Sequence, residues 1–150
     1  MIARAVVDDF LAQKDLAIVG VSRSGEGFGN VIVKELDQKG YTLHLVHPEA
    51  EQIGGRACVA SLAEVAERVG GVVLVTPPAQ TEKLVGEIAD LGIKRVWMQQ
   101  GAESEAAIVA AEERGLTVVH HHCILMFAEP AHWIHRAHRW MKGVSGGLPT

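Results

Sequence analysis

Residues 16–36 read LAIVGVSRSGEGFGNVIVKEL, and this stretch decides the fold. It opens with an unbroken apolar run, Leu16 to Val21, of strand length. A glycine-rich loop follows, and then Ile32, Val33 and Leu36, which share one face of a helix that stops before Gly40. The strand does not alternate between apolar and polar residues, so both of its faces are to be covered, as in a parallel sheet. The same unit recurs outward along the chain. Further apolar runs lie at Tyr41–Val46, Gly71–Thr76, Ile93–Met98 and Leu116–His120. Between them, Ser61 with Glu64 makes a capping box for a short helix. Leu84, Val85, Ile88 and Leu91 repeat at helical spacing before Gly92, and Glu103–Arg114 carries Ala106, Ala107, Ile108 and Ala111 before Gly115. Strands alternating with helices predict an α/β, three-layer, doubly wound fold on a five-stranded parallel sheet.

Ile2, Val6, Phe10 and Leu11 predict an additional N-terminal helix, and Pro130 opens another that runs to Met141. The chain of 150 residues is thus read as one domain, 1–142, with a C-terminal tail, 143–150. Hydrophobic residues make up 48% and charged residues 21%, which excludes a disordered chain. A net charge of −4 gives no general affinity for nucleic acid or acidic membrane. Two cysteines, Cys58 and Cys123, and the lack of an apolar run of membrane-spanning length lead to the expectation of a cytoplasmic, thiol-reduced protein.

In a doubly wound sheet, ligands bind beyond the carboxyl ends of the strands, where the winding reverses. The loop from Gly20 to Asn30 occupies such a place. Its glycines let main-chain N–H groups approach an anion, the helix that follows adds its positive end, and Ser22 and Arg23 add a hydroxyl and a forked cation. A phosphate cradle is the expectation. The dinucleotide fingerprint G-x-G-x-x-G is not met, because Ser22 stands where the second glycine belongs. The second strand ends in Val46-His47-Pro48 rather than in an acid for a ribose diol. No G-K-[ST] occurs either.

Gly20-Val21-Ser22-Arg23 with Phe28-Gly29, Val46-His47-Pro48, Gly55-Arg56 leading to Ser61-Leu62, Thr76-Pro77-Pro78, Trp97-Met98-Gln99-Gln100-Gly101 and Cys123 follow successive strands in order. Together they resemble the small stand-alone CoA-binding proteins, relatives of the nucleotide-binding domain of the succinyl-CoA synthetase alpha subunit. The likeness spans about residues 14 to 124. It implies a Rossmann-like domain with CoA or an acyl-CoA along the carboxyl edge of the sheet, Gly20, Ser22, Arg23 and Gly29 holding the pyrophosphate and Val21, Phe28 and Asn30 among the other cofactor-binding residues. His47 and Pro48 would border the adenosine, and Thr76, Pro77 and Pro78 would flank the pantetheine arm. Gln99, Gly101 and Cys123 would lie near the thiol end.

Two departures from that family's pattern stand out. The family usually has Asn before the proline and a basic residue after it, where this chain has His47-Pro48-Glu49. His120, His121 and His122 replace a run more often acidic and basic. On a regular strand His120 and His122 would share a face and His121 the other, giving only part of a metal site. His132, His135 and His138 on the last helix offer further ligands, but Trp133, Ala137, Trp140 and Met141 make a competing apolar stripe there. No metal site is assigned. Cys123, if accessible, could form a mixed disulfide with a bound thiol.

No nucleophile, base and orienting acid fall at a recognisable spacing. The reading is therefore a non-catalytic CoA or acyl-CoA binding protein. A small NAD(P)-dependent oxidoreductase and a metal or redox sensor built on the His/Cys segment are the alternatives. The N-terminal helix, Trp133 and Trp140 offer apolar surface either for a homo-oligomer or for closing the domain's own core.

Overall fold

The strands form where the apolar runs lie, and their alternate residues go to two separate cores. In the computed structural model, which describes residues 4–24 and 27–128, β1 is Asp15–Val19, β2 Thr42–Val46, β5 Gly71–Leu74, β6 Arg95–Gln99 and β7 Thr117–His122. These five are parallel and lie in the order β2-β1-β5-β6-β7. Leu16, Ile18, Leu45, Val73, Trp97 and Val119 enter one core, and Ala17, Val19, Val46, Val72, Leu74, Val96 and Met98 the other. The period of two divides each strand between the layers.

The first core is roofed by α1, Arg4–Leu11, and α2, Phe28–Gln38. α1 buries Val7 and Phe10, and Phe10 meets Trp97 edge to face at 5.4 Å between ring centroids. Arg95 ties α1 to the amino end of the sheet, its Nε donating to Asp9 at 2.7 Å and its guanidinium to the Gly70 carbonyl at 3.2 Å. The second core is covered by α3, Pro78–Asp90, and α4, Glu105–Glu113. Pro78 starts α3, where a missing N–H costs nothing. Ser104 caps α4 by accepting from the Ala107 N–H at 3.0 Å. Ser61 and Glu64 frame a single 3-10 turn, Leu62–Glu64, with the Glu64 carboxylate accepting from the N–H groups of Ala60 and Ser61.

The sheet has seven strands, not five. Residues in the connection between β2 and β5 add β3, Gln52–Ile53, and β4, Arg56–Val59, so the full order is β3-β4-β2-β1-β5-β6-β7. β4 is parallel to β2, whereas β3 is antiparallel to β4. Both are short and only partly buried, so neither shows the apolar run that marks the others. Gly54 and Gly55 join them, both at positive φ (57° and 80°), as a tight two-residue hairpin turn requires.

A second correction concerns the histidine run. The pairing Trp97↔Val119 is followed by Gln99↔His122, so β7 carries one extra residue there, and His121 has φ 63°. This bulge breaks the alternation. The rings of His120 and His121 meet with their Nδ1 atoms 2.6 Å apart, while His122 packs edge-on against Phe127. Among the described residues no group of three or more His, Cys, Asp or Glu side chains is arranged to hold a metal ion. Nor is any helix among them long and apolar enough to cross a membrane. The helix expected over 130–141, with His132, His135, His138, Trp133 and Trp140, and the tail at 143–150 lie outside the described residues.

Candidate functional site

The chain winds from β1 to β2 in one direction and from β5 to β7 in the other, so the reversal falls between β1 and β5. Two loops meet there, the one after β1 and the one after β5. They are pressed together. A Cβ on Gly20 would lie 2.4 Å from the Val75 carbonyl oxygen, and Gly20 has φ +105°. A Cβ on Gly29 would lie 3.3 Å from the Val21 Cα, so Gly29 lets the first turn of α2 sit against the end of β1. Glycine at these two positions is therefore demanded by the packing of the corner itself.

Beyond Gly20, Val21 is buried and the loop turns outward. Ser22 and Ser24 hydroxyls lie 2.8 Å apart, and the Asn30 amide donates to the Ser22 carbonyl at 3.4 Å. α2 begins at Phe28 behind Gly27 (φ 95°), which as N-cap has no side chain to cap it. Its first N–H groups and its positive end thus face the same corner as the Ser22 hydroxyl and the exposed Arg23. Phe28 is about half exposed, a large apolar side chain at the lip. Gly20, Val21, Ser22, Arg23, Phe28, Gly29 and Asn30 are thereby gathered at one place.

Two hollows flank the β5–α3 loop. One, of about 310 Å³, is lined by Val75, Thr76, Pro77, Gln99, Gln100, Gly101 and Ala102. This brings together four of the expected residues from two loops. The Thr76 hydroxyl is buried and 2.7 Å from the Thr81 hydroxyl, which in turn donates to the Pro77 carbonyl. Gln99 is buried, and its Oε1 accepts from the Ile124 N–H at 3.1 Å, pinning the segment after β7. Gly101 donates its N–H to Glu103, whose other oxygen accepts from the His121 N–H. One carboxylate therefore holds both the loop after β6 and the bulge in β7.

The second hollow, of about 260 Å³, is lined by Val19, Val46, Pro48, Ala60, Ser61, Leu62, Gln80, Leu84 and Glu87. Of the expected residues only Pro48 enters it. Ala60, Gln80 and Leu84 were not expected at the site, Leu84 being read only as part of a helical repeat; the regular helical spacing of α3 was the available signal for the last two. His47 contributes otherwise. Its Nδ1 accepts from the N–H groups of Glu49 (3.0 Å) and Ala50 (2.9 Å), so the ring proton sits on Nε2 and the imidazole folds the loop as an asparagine side chain would.

The residue model of a CoA binding domain matches residues 14–129, most of the chain and every strand just described. The chain belongs to that CoA-binding domain family. A 126-residue stretch is 28% identical to the uncharacterized protein YneT of Bacillus subtilis, covering 81% of this chain and 91% of that one. A conserved hypothetical protein from Pyrococcus furiosus of known structure superposes with a TM-score of 0.70 at 33% identity, over 74% of this chain and 96% of that one. The ADP-forming acetate–CoA ligase I of Archaeoglobus fulgidus is 28% identical over 124 residues, 75% of this chain but only 18% of the ligase.

Four further charged or reactive residues of this CoA-binding domain line neither hollow. Arg23 reaches across from the loop after β1 to Glu49 in the loop after β2, at 3.5 Å, with both side chains largely exposed. Cys123 stands at the carboxyl end of β7 but is 7% exposed and packed within the first core. Cys58 lies in β4, and burial pushes its thiol pKa up. The two cysteines are not joined in a disulfide.

Proposed function

We propose that this domain binds CoA or an acyl-CoA along the carboxyl edge of its sheet and does no chemistry on it. The observation that carries the reading is the start of α2: a helix with glycine at its N-cap, entered through a glycine corner at the winding reversal and flanked by Ser22 and Arg23. Such a terminus favours a diphosphate through its outermost N–H groups and dipole. Gly20, Val21, Gly29 and Asn30 shape the corner, and Phe28 gives it an apolar lip. Pro48 and the turn folded by His47 border the adenosine. The rigid Thr76-Pro77-Pro78 wall, poor in N–H donors, suits the pantetheine arm, which would run on into the hollow beside Gln99 and Gly101. Cys123 lies at that same end of β7.

Isothermal titration of the purified full chain with CoA, acetyl-CoA and NAD tests this. Saturable one-to-one heat with either CoA species is expected, weakened about tenfold or more by Arg23→Ala, since a charge-assisted contact to phosphate is worth ~1.5–3 kcal/mol. Heat with NAD and none with either CoA species would overturn the reading in favour of a nicotinamide enzyme.

A further inference from the structure

The adenosine end of the groove carries the wrong charge for a second phosphate. A nucleotide whose diphosphate sits at the start of α2 lays its ribose against the residues that follow β2, where nucleotide-binding folds of this type read the ribose hydroxyls. In this chain those residues are His47, Pro48 and Glu49, and their path is fixed by the two main-chain bonds to His47 Nδ1. The charged side chain they present is Glu49. Among the described residues lining the hollow beside Pro48, the one ionisable side chain is Glu87.

Arg23 meets the Glu49 carboxylate at 3.5 Å with both side chains largely exposed; on the diphosphate reading above it turns to the phosphates when ligand binds and leaves Glu49 uncompensated. Arg56 in β4 is bonded to Asp37 of α2 at 2.8 Å. With Lys34, Arg56 lines a different hollow, of about 250 Å³, that also includes Asn30, Val33, Leu45 and Ile53.

We infer that the site selects adenosine diphosphate esters whose ribose is unphosphorylated, so that dephospho-CoA binds more tightly than CoA. This rests on the diphosphate reading above and sharpens it. Glu49 repels a phosphate on the ribose 3′-oxygen, whereas a free ribose diol can donate hydrogen bonds to the same carboxylate. Two like charges on the phosphate against one on Glu49, taken at a separation of about 7 Å in water, amount to a preference of about five- to tenfold at low salt. The preference shrinks as ionic strength rises and the interaction is screened.

Parallel titrations of the full chain with CoA and dephospho-CoA at two salt concentrations test the inference, using the wild type, Glu49→Gln and Glu49→Lys. The expected result is tighter dephospho-CoA binding in the wild type, a ratio near one in Glu49→Gln, and a reversed ratio in Glu49→Lys. Matching thermal melts establish that the variants are folded. Equal or tighter binding of CoA by the wild type overturns the inference while leaving the diphosphate site standing. A CoA preference abolished by Lys34→Ala would place the phosphate in the hollow against α2 and overturn it equally. Absence of heat with both ligands removes the diphosphate reading and the inference with it.

Discussion

Replacing Gly20 by alanine is the sharpest probe of the corner between β1 and β5. The new Cβ would lie 2.4 Å from the Val75 carbonyl oxygen and 2.6 Å from its carbon, both main-chain atoms that no rotamer change can move. The residue would also hold φ near +105°, a region closed to L side chains. Backbone strain of that kind costs ~1–3 kcal/mol, and forcing a methyl group into packed structure costs a further ~1–3 kcal/mol. The two together amount to roughly 2–6 kcal/mol. For a domain of this size each kcal/mol is worth ~2–4 °C, so the melting temperature should fall by about 4–24 °C. Gly27→Ala supplies the control. Gly27 has φ +95° but nothing within 4 Å of its added Cβ, so only the strain is incurred. Urea unfolding of both variants, with the slope against denaturant checked for constancy, separates the contributions. If Gly20→Ala loses no more stability than Gly27→Ala, the two loops are not in contact as described, and the glycine at position 20 has some other reason.

His47→Asn should keep the loop after β2, because an amide oxygen accepts from the same two N–H groups, whereas His47→Ala should lose ~1–2 kcal/mol in chemical denaturation. Gln99→Leu leaves the buried Ile124 N–H without its acceptor, at a cost of ~1–3 kcal/mol, and hydrogen exchange at that amide should quicken even where global melting changes little. Burial first, and the neighbouring His121 second, lower the pKa of His120 below its ordinary 6.5 despite the opposing carboxylates of Glu112 and Glu103. The unfolded chain therefore takes up this proton before the native one does, so stability falls as pH drops from above 6.5 toward the lowered native value. Melts of wild type and His120→Gln between pH 8 and 5 should diverge in that window, and parallel curves would contradict the assignment.

Much of the fold was legible because β1, β2, β5, β6 and β7 are covered on both faces. Burial on two sides demands continuous apolar runs, and such runs are visible in a sequence. β3 and β4 were not visible for the complementary reason. Gln52, Arg56 and Cys58 lie on the rim, so solvent and ion pairing, not packing, decide what stands there. The Gly54-Gly55 pair was the available hairpin signal. The histidine run misled through its regularity, since a period-two reading assumes a strand without insertions, and the bulge at His121 is set by pairing with β6. At the site, the loops that lie at the winding reversal were readable from topology. The roles within them were less so. Gly20 answers to Val75 across the corner, Gln99 to Ile124, and His47 to its own loop, all contacts made only when distant segments meet.

The short hairpin also governs how copies of this chain can meet. A parallel sheet that ended at β2 would leave a five-residue strand open along its rim, a template for another backbone to continue the ladder. β3 replaces that rim with two residues, Gln52 and Ile53, and turns the chain back through a glycine pair immediately afterwards. Too few rungs remain for a second sheet to climb on. That flank gives strand addition little to hold, and favours encounters made by side chains instead.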